Sequence, residues 1–241
     1  MVPSQRFEER YKRGKQMKTF FESMKKFRAL WIVVLGFAAL IYIANETRES
    51  REQIVYYESL DEVVASVQGK DLTLRDFAVY VAHEEEVVQE YAIVYDPDDT
   101  RKYWKLRTEN GFMNHVARNE AMSMAIHDEL FYQLYQELNL ELTQEEQNIL
   151  NSKVEDFWSD LLDEEKDKRL GISKEDVYKT MEKIACAQKA QTVYAGILAV
   201  DYEELDYAQE EFLDFLSDYE YKVNDNVLNR LNFGNITLTH E

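Results

Sequence analysis

Apolar residues recur at steps of three and four along most of the chain beyond residue 72, which is the spacing of helices with one buried face. Thr73, Thr143 and Ser173 each stand three residues before an acidic residue, the capping-box signature of a helix start. We therefore predict helices that begin after these three residues, together with a long helix over 112–140 and a last one over 202–221. The helix over 112–140 is apolar on several sides and is expected to form the core.

Two short segments have the character of strands. Val63–Val67 is rich in β-branched residues and is followed by a Gly69-Lys70 turn, and residues 235–238 follow Gly234. A lone strand needs a partner. We therefore predict that these two segments pair and join the ends of the helical part.

Residues 29–44, ALWIVVLGFAALIYIA, form an apolar run without a charge. As a helix the run spans about 24 Å, less than a hydrocarbon core of about 30 Å, and basic and aromatic flanking residues extend it. We predict a transmembrane anchor, and two other interpretations stay open: a cleaved signal peptide and a buried helix of a soluble core. The predicted contacts with the lipid bilayer are made by Trp31, Ile32, Val33, Val34, Leu35, Phe37, Leu40, Ile41 and Tyr42.

Charge is distributed unevenly along the chain. The net charge is −19, whereas residues 1–28 hold nine Lys or Arg against three Glu. Because basic flanks stay in the cytoplasm, we expect a single-pass protein of the cell membrane with its main domain outside. The acidic main part excludes nucleic acid as a partner. The predicted organisation is a cytoplasmic arm (1–28), the anchor (29–44), a stalk (45–60) and an extracytoplasmic helical domain (61–241).

Sequence motifs of known catalytic and metal sites are missing. The chain contains no HExxH, GxSxG, P-loop or dinucleotide-binding pattern. The acidic turn Asp96-Pro97-Asp98-Asp99 has Arg where a calcium-binding loop needs Gly and Glu, and Cys186 has no second cysteine to pair with. We predict no catalytic residue, no metal site and no cofactor, although an enzyme of unfamiliar type stays open. The histidines are His83, His115, His127 and His240.

Three segments carry a resemblance to a known family. They are VVASVQGKDLTLRDFAVYV (63–81), LGISKEDVYKTMEKIACAQKAQTVY (170–194) and LNFGNITL (231–238). Their order resembles the chaperone module of SurA-like and PrsA-like foldases, over about residues 60–240. In such foldases a parvulin-type prolyl isomerase domain usually follows the helical module, but here only eight residues, 196–203, stand in its place. The resemblance therefore implies binding of unfolded polypeptides without isomerase activity, even where the family carries an isomerase label.

These observations combine into one predicted fold class and function. We expect a mainly α fold, with an N-terminal transmembrane helix, a SurA-like helical domain and a two-segment β element. The predicted function is a chaperone of the bacterial cell envelope that binds non-native, newly exported polypeptides. An adaptor that docks one fixed partner is the alternative. The predicted polypeptide-binding residues, each of which could equally be ordinary core, are Met113, Met122, Phe131, Tyr132, Trp158 and Tyr178.

Overall fold

Helices begin in the structure where the sequence places capping residues. The computed structural model describes residues 53–239. In it the side chains of Thr73, Thr143 and Ser173 each accept the backbone N–H three residues on, and the acidic side chain there binds back to the cap. Each pair satisfies backbone groups that the first turn of a helix leaves without partners. The predicted starts of these three helices are confirmed.

The described residues contain eight α-helices and two small sheets. Two 3-10 turns, Tyr56–Glu58 and Tyr202–Leu205, lie outside the helices. The helices are α1 (Leu74–Tyr95), α2 (Arg101–Trp104), α3 (Met113–Glu137), α4 (Gln144–Asp163), α5 (Lys166–Leu170), α6 (Lys174–Leu198), α7 (Glu210–Leu216) and α8 (Asp225–Leu228). The strands are β1 (Val63–Val67), β2 (Lys70–Thr73), β3 (Arg107–Thr108), β4 (Gly111–Phe112) and β5 (Tyr221–Val223).

The predicted strand Val63–Val67 is confirmed, but its predicted partner is wrong. The larger sheet has the order β2-β1-β5, and both neighbours run antiparallel to β1. Asn224 closes the β1–β5 ladder through its backbone N–H to the Val64 carbonyl and its side-chain amide to the Val63 carbonyl, each 2.9 Å long. The predicted strand over 235–238 does not form, because the backbone N–H groups of Ile236 and Thr237 bind the carboxylate of Glu85 instead.

The helix predicted over 202–221 is also wrong. After α6 the chain passes through Ala199 in a left-handed conformation, with φ of 58°. It then forms the 3-10 turn and reaches α7 only at Glu210. Side chains from α3 and α6 bind the Leu205 and Tyr202 carbonyls, so tertiary contacts prevent a continuous helix here.

The core lies between α1, α3 and α6 and extends under the larger sheet. Its large, fully buried side chains include Phe77 of α1, Phe131 of α3, Phe212 of α7 and Phe233 near the carboxyl end. Segments distant in the chain therefore share one core. The chain before the sheet also joins it, since the hydroxyl of buried Tyr56 donates to the Leu74 carbonyl over 2.6 Å.

No helix between residues 53 and 239 combines the length and the apolar composition that a membrane crossing requires. Long helices such as α1, α3 and α6 carry charged residues at several positions, and such residues are costly in hydrocarbon. This finding contradicts two predictions, a fold with a transmembrane helix and a location in the cell membrane. The fold class is corrected to mainly helical, with two small sheets. The anchor segment 29–44 and its nine predicted lipid-contacting residues lie outside the described residues.

Candidate functional site

A cavity of about 480 Å³ opens between α1, α3, α4 and α6. Its apolar walls come from Val79 of α1, Met124 of α3, Phe157 of α4, and Met181 and Ile184 of α6. All five stand on helices, so the walls are set by packed elements rather than by loops. The remaining lining residues are Tyr80, His83, His127, Asp128, Lys153, Gln188, Gln191, Tyr202, Asp206 and Tyr207.

A second cavity, of about 320 Å³, continues from the first along α4 and α6. The two share a set of lining residues: Lys153, Met181, Ile184 and Gln188. The ion pairs Glu155–Lys174 and Glu146–Lys189 show that the two helices run antiparallel along this seam. We call the two adjoining cavities the groove.

A chain of hydrogen bonds runs through one wall of the groove. The Tyr80 hydroxyl donates to Asp128 Oδ2 over 3.1 Å, and Asp128 Oδ1 lies 2.9 Å from His127 Nδ1. His127 Nε2 in turn lies 3.0 Å from the Leu205 carbonyl oxygen. The imidazole is buried between the rings of Phe131 and Phe212. Both ring nitrogens are engaged, so neither is placed to take a proton from a molecule in the groove.

Residues 200–209, here called the cover segment, close one side of the groove. Tyr202, Asp206 and Tyr207 of this segment line the cavity. Buried Gln191 donates from Nε2 to the Tyr202 carbonyl and to Asp206 Oδ1, each over 3.1 Å. The cover segment is thus attached to the helices by His127 and Gln191, and by the buried side chain of Leu205.

Two carboxyl groups lie close together beside the cover segment. Burial, and then the nearby charge of Glu120, raise the pKa of Glu84 to about 7. Burial and the charges of Glu120 and Glu84 raise the pKa of Tyr207 to about 12, and its hydroxyl is hydrogen-bonded to Glu120. The carboxyl group of Glu84 thus changes its charge near neutral pH.

The six residues predicted to bind polypeptide lie elsewhere, and the structure does not bring them together. Phe131 is fully buried, and Met122 is buried at the edge of another cavity of about 310 Å³, which shares only Tyr207 with the groove. Tyr178 accepts a hydrogen bond from Gln147 over 2.8 Å and lines a shallow site between α4 and α6. The other three, Met113, Tyr132 and Trp158, are partly buried against the core.

The groove residues carry a weak signal in the sequence. Met181, Ile184 and Gln188 share one face of α6, and Lys153 and Phe157 share one face of α4. A face that mixes apolar and amide side chains indicates partial exposure. The sequence does not tell which faces of separate helices meet, so this signal alone does not identify a groove.

Metal binding receives no support from the described part of the chain, where no three His, Cys, Asp or Glu residues are grouped closely enough to hold an ion. The buried thiol of Cys186 is hydrogen-bonded to Tyr135, and burial raises its pKa. A raised pKa keeps the thiol protonated and unreactive.

In comparisons with known proteins, no family model, curated protein or solved structure matches the chain.

Proposed function

We propose that this protein binds apolar segments of non-native polypeptides in the groove and catalyses no reaction there. The observation that carries the proposal is the continuity of the two cavities along α4 and α6, with apolar side chains on both walls. An extended polypeptide can place alternate side chains in such a groove. Methionine adapts to varied partners, and Met124 and Met181 both line it.

The polar groups of the groove support binding rather than catalysis. Tyr80, Asp128, His127 and Gln191 already bind one another or the cover segment, as described above. Gln188 is exposed on the boundary between the two cavities, where its amide can donate to and accept from a peptide backbone. The resemblance to SurA-like modules supports the same function. In that family a parvulin-type domain follows the helical module, and only the eight residues 196–203 stand at the corresponding place here, which favours a protein without isomerase activity.

An adaptor function is favoured by a different surface. Tyr91, Val94 and Tyr95 in the last turns of α1 are 61%, 85% and 56% exposed. Neighbouring exposed apolar side chains suit the docking of one fixed partner. The two functions use different faces, so single substitutions can separate them.

Substitution of Gln188 by Trp tests the groove function. The indole would fill the boundary between the two cavities, and the fold should tolerate it because residue 188 is exposed. The measurement is the light scattering of a chemically denatured basic test protein, diluted into buffer with and without the full chain. We expect the wild-type chain to delay aggregation and Q188W to reduce that delay at least threefold.

Gln136→Trp is the matched control, since Gln136 is exposed on α3 and lines none of the cavities described above. It should behave like the wild type. A wild-type chain that gives no delay at several-fold excess would refute the groove function. Equal loss of the delay in both variants would show that groove filling is not the cause.

A further inference from the structure

We propose that Lys153 binds a carboxylate group of the polypeptide in the groove, so that the preferred ligand is an apolar segment with one carboxylate. This inference rests on the function proposed above and names the chemistry of its ligand. The carboxylate can be the side chain of an aspartate or glutamate, or it can be the free carboxyl end of the bound chain. The experiment below distinguishes these two sources.

The position of Lys153 is the first observation. It stands on α4, is exposed, and lines both cavities of the groove. Gln188 of α6 also lines both cavities, so the two polar side chains lie at the boundary between them. Met181 and Ile184 line the same boundary with apolar surface. A segment that fills both cavities therefore passes the ammonium group of Lys153.

The ammonium group of Lys153 forms no ion pair with any acidic residue between 53 and 239. This part of the chain holds 40 Asp or Glu against 17 Lys or Arg, so acidic partners are abundant. The other four lysines of α4 and α6 are all ion-paired, as Lys174–Glu155, Lys179–Glu175, Lys183–Glu129 and Lys189–Glu146. The charge of Lys153 is thus available to a ligand.

The carboxylates that line the groove are engaged with other groups. Asp128 and Asp206 each accept a hydrogen bond from a side chain of the groove wall. Glu146 is ion-paired with Lys189 over 2.7 Å. None of the three pairs with Lys153, so a carboxylate that neutralises this ammonium group has to come from the bound molecule.

A carboxylate at the boundary between the cavities would find suitable donors. It has two acceptor oxygens, while a lysine ammonium has three N–H donors and a glutamine amide has two. It can therefore accept from Lys153 and Gln188 together, and the bond to the charged group is the stronger of the two. Because Lys153 is exposed, water screens the pair. We expect a gain in affinity of about threefold, within the range of exposed ion pairs.

Two pairs of labelled peptides test the proposal by fluorescence anisotropy with the full chain at low salt. The first pair shares an apolar sequence with an amidated end and differs only in a central Glu or Gln. The second pair is a shorter apolar sequence that ends in a free carboxylate or in an amide. We expect the carboxylate member of at least one pair to bind about threefold more tightly, although the negative net charge of the protein favours the opposite order.

The pair that shows the preference identifies the source of the carboxylate. A preference in the first pair alone assigns it to an acidic side chain, and a preference in the second pair alone assigns it to the carboxyl end. A preference in both pairs shows that Lys153 accepts either source. A wild-type chain that prefers the carboxylate member in neither pair would overturn the proposal.

Two variants assign the preference to Lys153. Lys153→Gln should reverse it, so that the uncharged peptide binds more tightly. Lys179→Gln is the matched control, because it removes the same charge from an exposed position on α6 that lines neither cavity of the groove. It should keep the wild-type preference. An equal reversal in both variants would refute the role of Lys153, and the wild-type result stands alone if K153Q fails to fold.

The same measurements separate this proposal from the proposed function. Equal affinity for both members of each pair would refute the role of Lys153 while the groove function stands. No binding of any of the four peptides would refute the groove function and this inference together.

Discussion

Glu84 and Glu85, neighbours on α1, have carboxyl groups in opposite surroundings. Glu84 is half-buried beside Glu120. Burial, and then the charge of Glu120, raise its pKa. Glu85 is fully buried and accepts four hydrogen bonds, from the backbone N–H groups of Gly234, Ile236 and Thr237 and from the Thr237 hydroxyl. The carboxylate of Glu84 therefore destabilises the fold near neutral pH. Burial raises the pKa of Glu85 too, but its four hydrogen bonds favour the charged form and attach the backbone of residues 234–237 to α1.

Substitution of Glu84 by Gln should stabilise the protein at pH 8. The pKa is raised from the ordinary 4.5 to about 7 in the folded state, so stability falls as pH rises from about 4.5 through about 7. Because the carboxyl is only half-buried, solvent screening reduces the penalty, and we expect a gain of about 1 kcal/mol at pH 8. Urea unfolding at pH 8 and pH 5.5 measures it, with a smaller gain at pH 5.5.

Glu90→Gln is the control for this substitution, since Glu90 is exposed on the same helix. It removes the same charge without the buried environment. An equal gain in E84Q and E90Q would mean that the benefit comes from lower overall charge and not from the Glu84–Glu120 pair.

At the scale of elements, the last described residues are attached through side chains and not through a strand. Phe233 lies in the core, with its ring 6.4 Å from that of Phe77, and Gly234 adopts a positive φ of 89° against the Trp104 ring. The Glu85 carboxylate binds the backbone of the same stretch. The segment 231–239 is thereby fixed on α1.

Substitution of Glu85 by Gln should loosen this segment. One acceptor oxygen becomes an NH₂ group that faces backbone donors, and a buried group without its partner costs about 1–3 kcal/mol. We expect a loss of that size in urea unfolding, and faster proteolysis of the carboxyl end. Unchanged stability in E85Q would contradict the role assigned to this carboxylate.

Local and distant interactions explain which elements the sequence predicts. Thr73 and Ser173 act within one helical turn, so their capping boxes can be found in the sequence and are confirmed. The broken helix after α6 and the missing strand at 235–238 are decided by His127–Leu205 and Glu85–Thr237, contacts across 78 and 152 positions. No local pattern encodes such contacts. The groove shares this limit, because it needs four helices in a fixed arrangement.

At the scale of the whole molecule, the described residues carry a large negative charge, which bears on the class of polypeptide that the proposed function would select. Residues 53–239 hold 17 Lys or Arg against 40 Asp or Glu, a net charge of −23. A field of this sign attracts basic segments and repels acidic ones over a distance of about 10 Å at 0.1 M salt. If the proposed function holds, we expect the apolar walls to bind the centre of a peptide and the acidic surface to select its flanking residues.

Peptides that share one apolar centre and differ in the charge of their flanking residues test these two roles. We expect a peptide flanked by lysines to bind at least tenfold more tightly than the same centre flanked by glutamates at low salt. Salt screens exposed charges within about 4–5 Å at 0.5 M, so the difference should fall to about twofold while the affinity of an uncharged version stays nearly constant. Fluorescence anisotropy of labelled peptides measures the affinity of all three peptides.

The Q188W variant should bind every one of these peptides more weakly by a similar factor, because the indole fills the apolar groove and leaves the charged surface unchanged. A preference for lysine flanks that persists at 0.5 M salt would instead require specific carboxylate contacts at the rim of the groove.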